Sequence, residues 1–325
     1  VSSSTLAIAV ADEALEARLR ARLASVEIAL AQDVRSRAPF VAEAASHLMA
    51  AGGKRFRPLL VLLAAECGPR TESADVEVAA RAVELVHLAS LYHDDVMDEA
   101  LVRRSADSAN ARYDNRVAIL TGDWLFARSS ELTAQLGPEA VRIQAETFGR
   151  LVEGQILEGV TPTGDAVEHH LEVVAGKTGA LLATSARYGA MFSGASAEIV
   201  AALTEYGELI GTAFQLSDDI LDIASDESGK TPGTDLREGV PTLPTLLARA
   251  NGETAVLDAL AGDLTQDAPL AAAVAVLRES KSLQAAREYV IGEAERAKAV
   301  LSVVPDGSVR TALVAFADAV ATRTR

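Results

Sequence analysis

Apolar residues recur along most of this chain at the three- and four-residue spacing of a helix, and the interruptions between such stretches are short. Breaks fall at Gly52-Gly53, Gly68 to Asp75, Gly137-Pro138 and Thr161 to Asp165, and again at Ser193 to Ser196, Gly262 to Pro269 and Pro305 to Ser308. The pattern predicts about ten helices joined by short links. One of them, containing "AVELVHLASL" from Ala82 to Leu91, is apolar on nearly every face and is expected to be a central helix buried on most sides. A single long irregular stretch, Ser225 to Pro244, is rich in Gly, Pro and charge. Connections of that length tend to be functional.

Composition strengthens the helical reading. Hydrophobic residues make up 49% of the chain and aromatics 4%, with Ala, Leu, Val, Glu and Arg prominent, a mix that favours helices over sheets. The expectation is an all-α fold, residues 1–325 forming one domain of antiparallel helices around a central cavity. The formal net charge of -16 argues against a nucleic-acid partner, which would require a basic surface. The single Cys67 excludes an intrachain disulfide and has no neighbouring base to activate it. No apolar run reaches the roughly 20 residues that span a bilayer. The first residues carry no basic leader. These features argue against a transmembrane or secreted protein, and the lone cysteine predicts a reducing, cytoplasmic setting.

Candidate chemistry begins where the apolar helix runs into "LYHDDVMDEA", which packs Asp94, Asp95 and Asp98 into five residues. Like charges so close repel unless a cation offsets them. The pattern recurs in "FQLSDDILDI", where another apolar helix leads into Asp218, Asp219 and Asp222. In each copy the spacing predicts three carboxylates on one side of a helix, a claw. One Asp-Asp-x-x-Asp reads equally well as a solvated helical face, but two copies behind buried-type helices point to a shared purpose. Hard oxygen donors without clustered Cys or His suit Mg²⁺, which is held by a few carboxylates together with substrate phosphates. Two opposed claws would grip a diphosphate between metal ions.

At this point the sequence resembles the trans-type isoprenyl diphosphate synthases, and among them the long-chain polyprenyl synthases. The resemblance runs through "GGKRFRP" (Gly52 to Pro58), "HDDVMDEALVRR" (His93 to Arg104), "GDWLFA" (Gly122 to Ala127), "KTGALL" (Lys177 to Leu182) and the second claw. It implies ionisation of an allylic diphosphate, attack on the cation by the double bond of isopentenyl diphosphate, and loss of a proton. It also implies a catalytic set of Asp94, Asp95, Asp98, Asp218, Asp219, Asp222 and Lys177, with metal bound by Asp94, Asp98, Asp218 and Asp222. Lys54, Arg57, His87 and Arg104 match binders of isopentenyl diphosphate. Arg103, Lys177, Thr178, Gln215 and Lys230 match positions that touch the allylic diphosphate. A homodimer is implied as well, and a membrane-seeking product implies transient contact with a bilayer.

Upstream of Asp94, Ser90 and Ala89 lie about one helical turn (about 5.4 Å) deeper on the same side. In the family a bulky aromatic there stops growth early, so these small residues imply a deep pocket and a long product. Otherwise they permit close helix packing and the floor lies on another helix. Two departures stand out. Arg103-Arg104-Ser105-Ala106-Asp107 replaces the usual Arg-Arg-Gly-x-Pro, and Val240 follows Glu238-Gly239 where a Lys is common.

Other readings account for less. A terpene cyclase needs no second diphosphate site and leaves Lys54, Arg57, His87 and Arg104 idle. A metal-dependent phosphohydrolase using the His93-Asp94 pair leaves the second claw unexplained. A regulatory subunit would be expected to have eroded claws, and a short-chain synthase would differ mainly at the pocket floor. "GKT" and "SGKT" lack the upstream glycine of a nucleotide-binding loop.

Overall fold

The computed structural model describes residues 10–224 and 232–323. In its first half the helices are α1 (Glu13–Asp33), α2 (Pro39–Ala50), α3 (Phe56–Ala65), α4 (Ala74–Met97), α5 (Ala109–Tyr113), α6 (Asn115–Gln135) and α7 (Pro138–Glu158). There follow α8 (Ala166–Val174), α9 (Ala180–Phe192), α10 (Ala197–Ala224), α11 (Thr234–Glu238), α12 (Leu243–Asn251), α13 (Thr254–Leu260), α14 (Asp267–Arg278), α15 (Lys281–Val300) and α16 (Ser308–Thr322). The protein is all-α, as expected. Among the described residues the sole sheet is a two-strand hairpin, β1 (Val102–Arg103) with β2 (Ala106–Asp107). The irregular stretch after the second claw contains α11 and runs into the start of α12.

The chain divides into two compact units. The first takes the chain up to Phe148 together with Leu181–Thr204 and Val303–Leu313. Its core is α4, which packs most extensively on α6 and then on α3. Ala82, Val83, Leu85, Leu88 and Ala89 of α4 are buried, which confirms the central helix expected over that stretch. The approach to α6 is close because Gly122 carries no side chain. A Cβ there would meet the His93 ring at 2.4 Å and the Ala89 carbonyl oxygen at 3.1 Å. Gly189 of α9 serves α3 in the same way, with the Val61 carbonyl oxygen 2.1 Å from where its Cβ would be.

The second unit takes Gly149–Ala180, Glu205–Ser302 and Val314–Arg325. Here α12 packs on α15 and α8, and α13 on α14. Several helix starts follow directly from sequence. Asp165 accepts from the N–H groups of Val167 and Glu168 to open α8, and Ser280 accepts from Leu283 to open α15. Such caps satisfy donors that a helix's first turn otherwise leaves orphaned. Between α8 and α9 the backbone widens into a π-helical turn, Ala175–Gly179, which carries Lys177 and Thr178.

Candidate active site

In the first unit, α4 delivers Asp94 and Asp95 in its last turn and Asp98 as its C-cap. The three carboxylates do not share one side as the spacing suggested. Asp94 is half-buried and Asp98 exposed, whereas Asp95 is fully buried. Adjacent helical residues diverge by about 100° around the axis, and Asp95 takes the inward direction. Its Oδ1 accepts from Arg103 Nε at 2.6 Å and its Oδ2 from the Ala109 N–H, the first residue of α5, at 2.8 Å. Arg103 also lies 3.7 Å from Asp98 Oδ2. The cation that three clustered carboxylates call for is therefore supplied in part by the chain itself.

Arg103 is placed by the hairpin, whose two-residue loop is Arg104-Ser105 at φ +54° and +62°. Both residues are left-handed, as a tight hairpin turn of that length demands. The departure at Ser105 thus falls on a turn position that glycine occupies most easily. Arg104 turns back to donate to the carbonyl oxygens of Leu48, at 3.1 Å, and Gly52. Gly53, at φ +143°, leaves room for this: a Cβ would sit 3.0 Å from both the Arg104 and Arg55 guanidinium groups.

Sequence reasoning passed over Arg55 and Glu84. Arg55 Nη1 donates to buried Glu84 at 3.0 Å and Arg55 Nε lies 3.4 Å from Glu27 Oε1, so two carboxylates stand among Arg55, Arg57 and Arg104. His87 lies within this group, and burial, then Arg57, Arg104, Arg55 and Arg103, hold its pKa well below the usual imidazole range. It is neutral. Burial lowers Arg57 to about 10, still charged at neutral pH, and Arg57 Nε is buried with no hydrogen-bond partner among the described residues. Cations gathered with too few carboxylates form a receptor for an anion. Lys54 is exposed, its ammonium 5.9 Å from the centre of the Phe56 ring.

The region below the claw is also in this unit. Ala89 is fully buried toward α6, and Ser90 Oγ donates to the His87 carbonyl oxygen at 2.9 Å. Tyr92 points to α2, where its hydroxyl donates to the Ala44 carbonyl oxygen, so it does not obstruct the Asp94 side. Deeper along α4, Val83 and Val86 border a small interior cavity completed by Ser129, Thr147, Thr184 and Tyr188. Val86 is eight residues before Asp94, roughly 12 Å along the helix. His93 Nε2 contacts the Ile119 carbonyl oxygen of α6 at 3.1 Å and lies 3.4 Å from Asp123 Oδ1.

In the second unit α10 carries the other claw. Asp218 Oδ1 meets Arg323 at 2.9 Å. Asp222 accepts from the N–H groups of Thr234 and Asp235, at 3.1 Å each, and so caps α11. Asp219 is buried, its Oδ2 accepting from His170 Nε2 at 3.0 Å and from the Leu243 N–H at 3.2 Å. Thr178 Oγ1 donates to Gln215 Oε1 at 3.0 Å, and Lys177 Nζ to Glu158 at 2.5 Å. These contacts bring Thr178 to Gln215, one helical turn before Asp218. Lys230 lies outside the described residues. Burial pushes the Cys67 thiol up to about 12, which leaves it inert.

Among the described residues no three acidic, His or Cys side chains converge into a ready-made metal cage. The donor set nevertheless fits Mg²⁺, which takes one or two carboxylates and completes its shell with water and substrate phosphate. Asp94 and Asp98 in one unit, and Asp218 and Asp222 in the other, are partly solvent-accessible carboxylates of that kind.

The polyprenyl synthetase family pattern matches residues 38–277. The chain is 48% identical to the nonaprenyl diphosphate synthase of Mycobacterium tuberculosis over 314 residues, 94% of each protein. Its fold matches the geranylgeranyl pyrophosphate synthase of Corynebacterium glutamicum complexed with calcium and isoprenyl diphosphate, with a TM-score of 0.87, 43% identity and coverage of 98% and 99%. It also matches a decaprenyl diphosphate synthase from Rhodobacter capsulatus, with a TM-score of 0.86, 34% identity and coverage of 96% and 99%. With sequence and fold agreeing over nearly its whole length, the protein belongs to the polyprenyl synthetase family of chain-elongating prenyltransferases.

Proposed function

We propose that this prenyltransferase condenses isopentenyl diphosphate with an allylic prenyl diphosphate, uses Mg²⁺, and releases a long-chain polyprenyl diphosphate. The observation that carries the reading is the grouping of Arg55, Arg57 and Arg104 around neutral His87 in the unit that also presents Asp94 and Asp98. Two diphosphates ask for two kinds of site: fixed cations for the one that stays, metal-binding carboxylates for the one that leaves. In this reading Lys54, Arg57, His87 and Arg104 hold isopentenyl diphosphate. Asp94, Asp98, Asp218 and Asp222 hold metal, and Arg103, Lys177, Thr178, Gln215 and Lys230 attend the allylic diphosphate. Bound Mg²⁺ neutralises the charge of the departing diphosphate. The C–O bond to the allylic carbon breaks, the double bond of isopentenyl diphosphate supplies the electrons of the new C–C bond, and a proton is lost. No nucleophilic side chain is needed, and the protein's work is to orient both substrates and keep water from the cation.

The nonaprenyl and decaprenyl products of two of the similar proteins support a long product, and the geranylgeranyl product of the third marks the shorter alternative. Exposed Ile119 and Leu120 of α6, with Val141 and Phe148 of α7, support a homodimer whose second copy covers them. Among the described residues no helix is long and apolar enough to cross a membrane. Contact with a bilayer would come through the product.

The test is to incubate the purified chain with Mg²⁺, isopentenyl diphosphate and allylic diphosphates of increasing length, and to size the products. Prenyl diphosphates longer than the starter support the reading, and products beyond geranylgeranyl support its long-chain form. Cyclic hydrocarbons, phosphate release alone or no turnover would each overturn it.

A further inference from the structure

We infer that His170 is a positioning residue for the second claw, acting through Asp219. The inference rests on the proposed reading of Asp218 and Asp222 as the carboxylates that meet metal and diphosphate. The His170 side chain is 12% exposed and that of Asp219 7%, so the contact between Nε2 and Oδ2, at 3.0 Å, is made out of water. The same oxygen accepts from the Leu243 N–H, at the first residue of α12, where Thr242 and Thr245 form a reciprocal cap. One carboxylate thus ties α10 to both α8 and α12.

The tie matters because of where it sits. Asp219 directly follows Asp218 and is three residues before Asp222, and α10 ends at Ala224, where helices fray. Fixing the rotation of this last turn at Asp219 fixes the directions in which Asp218 and Asp222 leave the helix. The first claw is built on the same plan. There the middle carboxylate, Asp95, is also buried, and it also accepts from one side chain and from the first N–H of a later helix, α5 in the first claw and α12, beyond α11, in the second. Two segments distant in sequence arrive at one arrangement, with Arg103 as the side-chain donor in the first and His170 in the second. An imidazole carries an Nε2–H in its protonated form and in one neutral tautomer, so the role requires no change of charge.

The test uses the full chain and reads binding as well as turnover. Inorganic diphosphate is titrated calorimetrically into the protein with saturating Mg²⁺, and the Mg²⁺ dependence of prenyl transfer is measured in parallel. His170→Ala is expected to weaken diphosphate uptake by about 10-fold, the lower end of the cost of losing a group that orients a metal ligand. His170→Gln, whose amide nitrogen reaches the place of Nε2, should recover to within about threefold. His170→Asn, whose amide corresponds to Nδ1, should not. In an Asp219→Ala background, His170→Ala should add less than a further twofold loss if it acts through that carboxylate. Equal binding by wild type and His170→Ala, equal rescue by Asn and Gln, or losses that multiply in the double variant would each overturn the role of His170. Should the Ala variant fail to fold, the comparison of Gln with Asn decides alone. A wild-type chain that binds no diphosphate with Mg²⁺ would instead overturn the reading of the claw itself.

Discussion

Arg103 Nε donates to Asp95 Oδ1 at 2.6 Å, while its guanidinium approaches Asp98 Oδ2 only to 3.7 Å. Asp95 is fully buried and bonded at both oxygens, whereas Asp98 is exposed at the helix end. Two aspartates of one motif therefore carry different loads, one holding the hairpin to α4 and the other facing solvent.

Removing each should separate stability from turnover. Asp95→Ala strands the Arg103 contact and the Ala109 N–H, and is expected to cost roughly 2–3 kcal/mol of folding stability, read as a lower denaturation midpoint. Asp98→Ala should shift the midpoint by less than about 0.5 kcal/mol. Asp94→Ala and Asp218→Ala should lower turnover by orders of magnitude with the helical circular dichroism unchanged. Near-normal rates in either would contradict the claw assignment.

Gly53→Ala probes the basic cluster without removing a charge. The added methyl would press within 3.0 Å of the Arg104 and Arg55 guanidinium groups, at a φ of +143° that side chains avoid. Displacing Arg104 should raise KM for isopentenyl diphosphate several-fold while kcat stays near wild type, the signature of lost uniform binding. Steady-state kinetics with the allylic substrate saturating would show it. A fall in kcat at unchanged KM would place Gly53 elsewhere in the mechanism.

His87 sets a pH dependence of stability. Its folded pKa lies well below the ordinary value of 6.5, first through burial and then through the surrounding arginines. As pH falls through 6.5 the unfolded chain takes up a proton that the folded chain refuses, so stability is lost on the acid side. It is insensitive to this group above that pH. The slope is at most about 1.4 kcal/mol per pH unit for one proton. Comparing denaturation midpoints at pH 7.5 and 5.5, wild type should lose about 1 kcal/mol more than His87→Gln. Parallel losses would show that His87 titrates normally.

Much of this architecture was legible because its signals are local. The claws recur at fixed spacing, α4 announces its burial over Ala82 to Leu91, and Lys54, Arg57 and His87 stand in recognisable segments. What was not legible depends on partners far along the chain. Asp95 turns inward to meet Ala109, 14 residues away, and Asp219 to meet Leu243 and His170, 24 and 49 residues away. No spacing rule within one helix foretells such bonds. The hairpin was hidden because its turn uses Arg104 and Ser105 in left-handed conformations where a glycine would have signalled it. Short helices such as α5 and α11 span five residues each, too few for a periodic pattern to register.

Product length offers the sharpest separation of packing from function. Ala89 is fully buried beside Gly122, so Ala89→Phe overfills the contact between α4 and α6 and should cost about 1–3 kcal/mol whatever it does to the product. Ser90 is only half-buried on the Asp94 side, and Ser90→Phe should shorten the product with little loss of stability. If growth continues past that level, the tail next meets the cavity between Val86, Thr147 and Thr184, whose two hydroxyls are bonded to each other at 2.5 Å. Thr147 Oγ1 also donates to the Ile143 carbonyl oxygen at 2.8 Å, so passing this layer would strand the Thr184 hydroxyl at about 1–3 kcal/mol, which is enough to bias termination. Thr184→Val removes one partner along with that resistance, and should lengthen the distribution seen by chromatography of the dephosphorylated products. Lengths unchanged in both Ser90→Phe and Thr184→Val would place the floor on neither level.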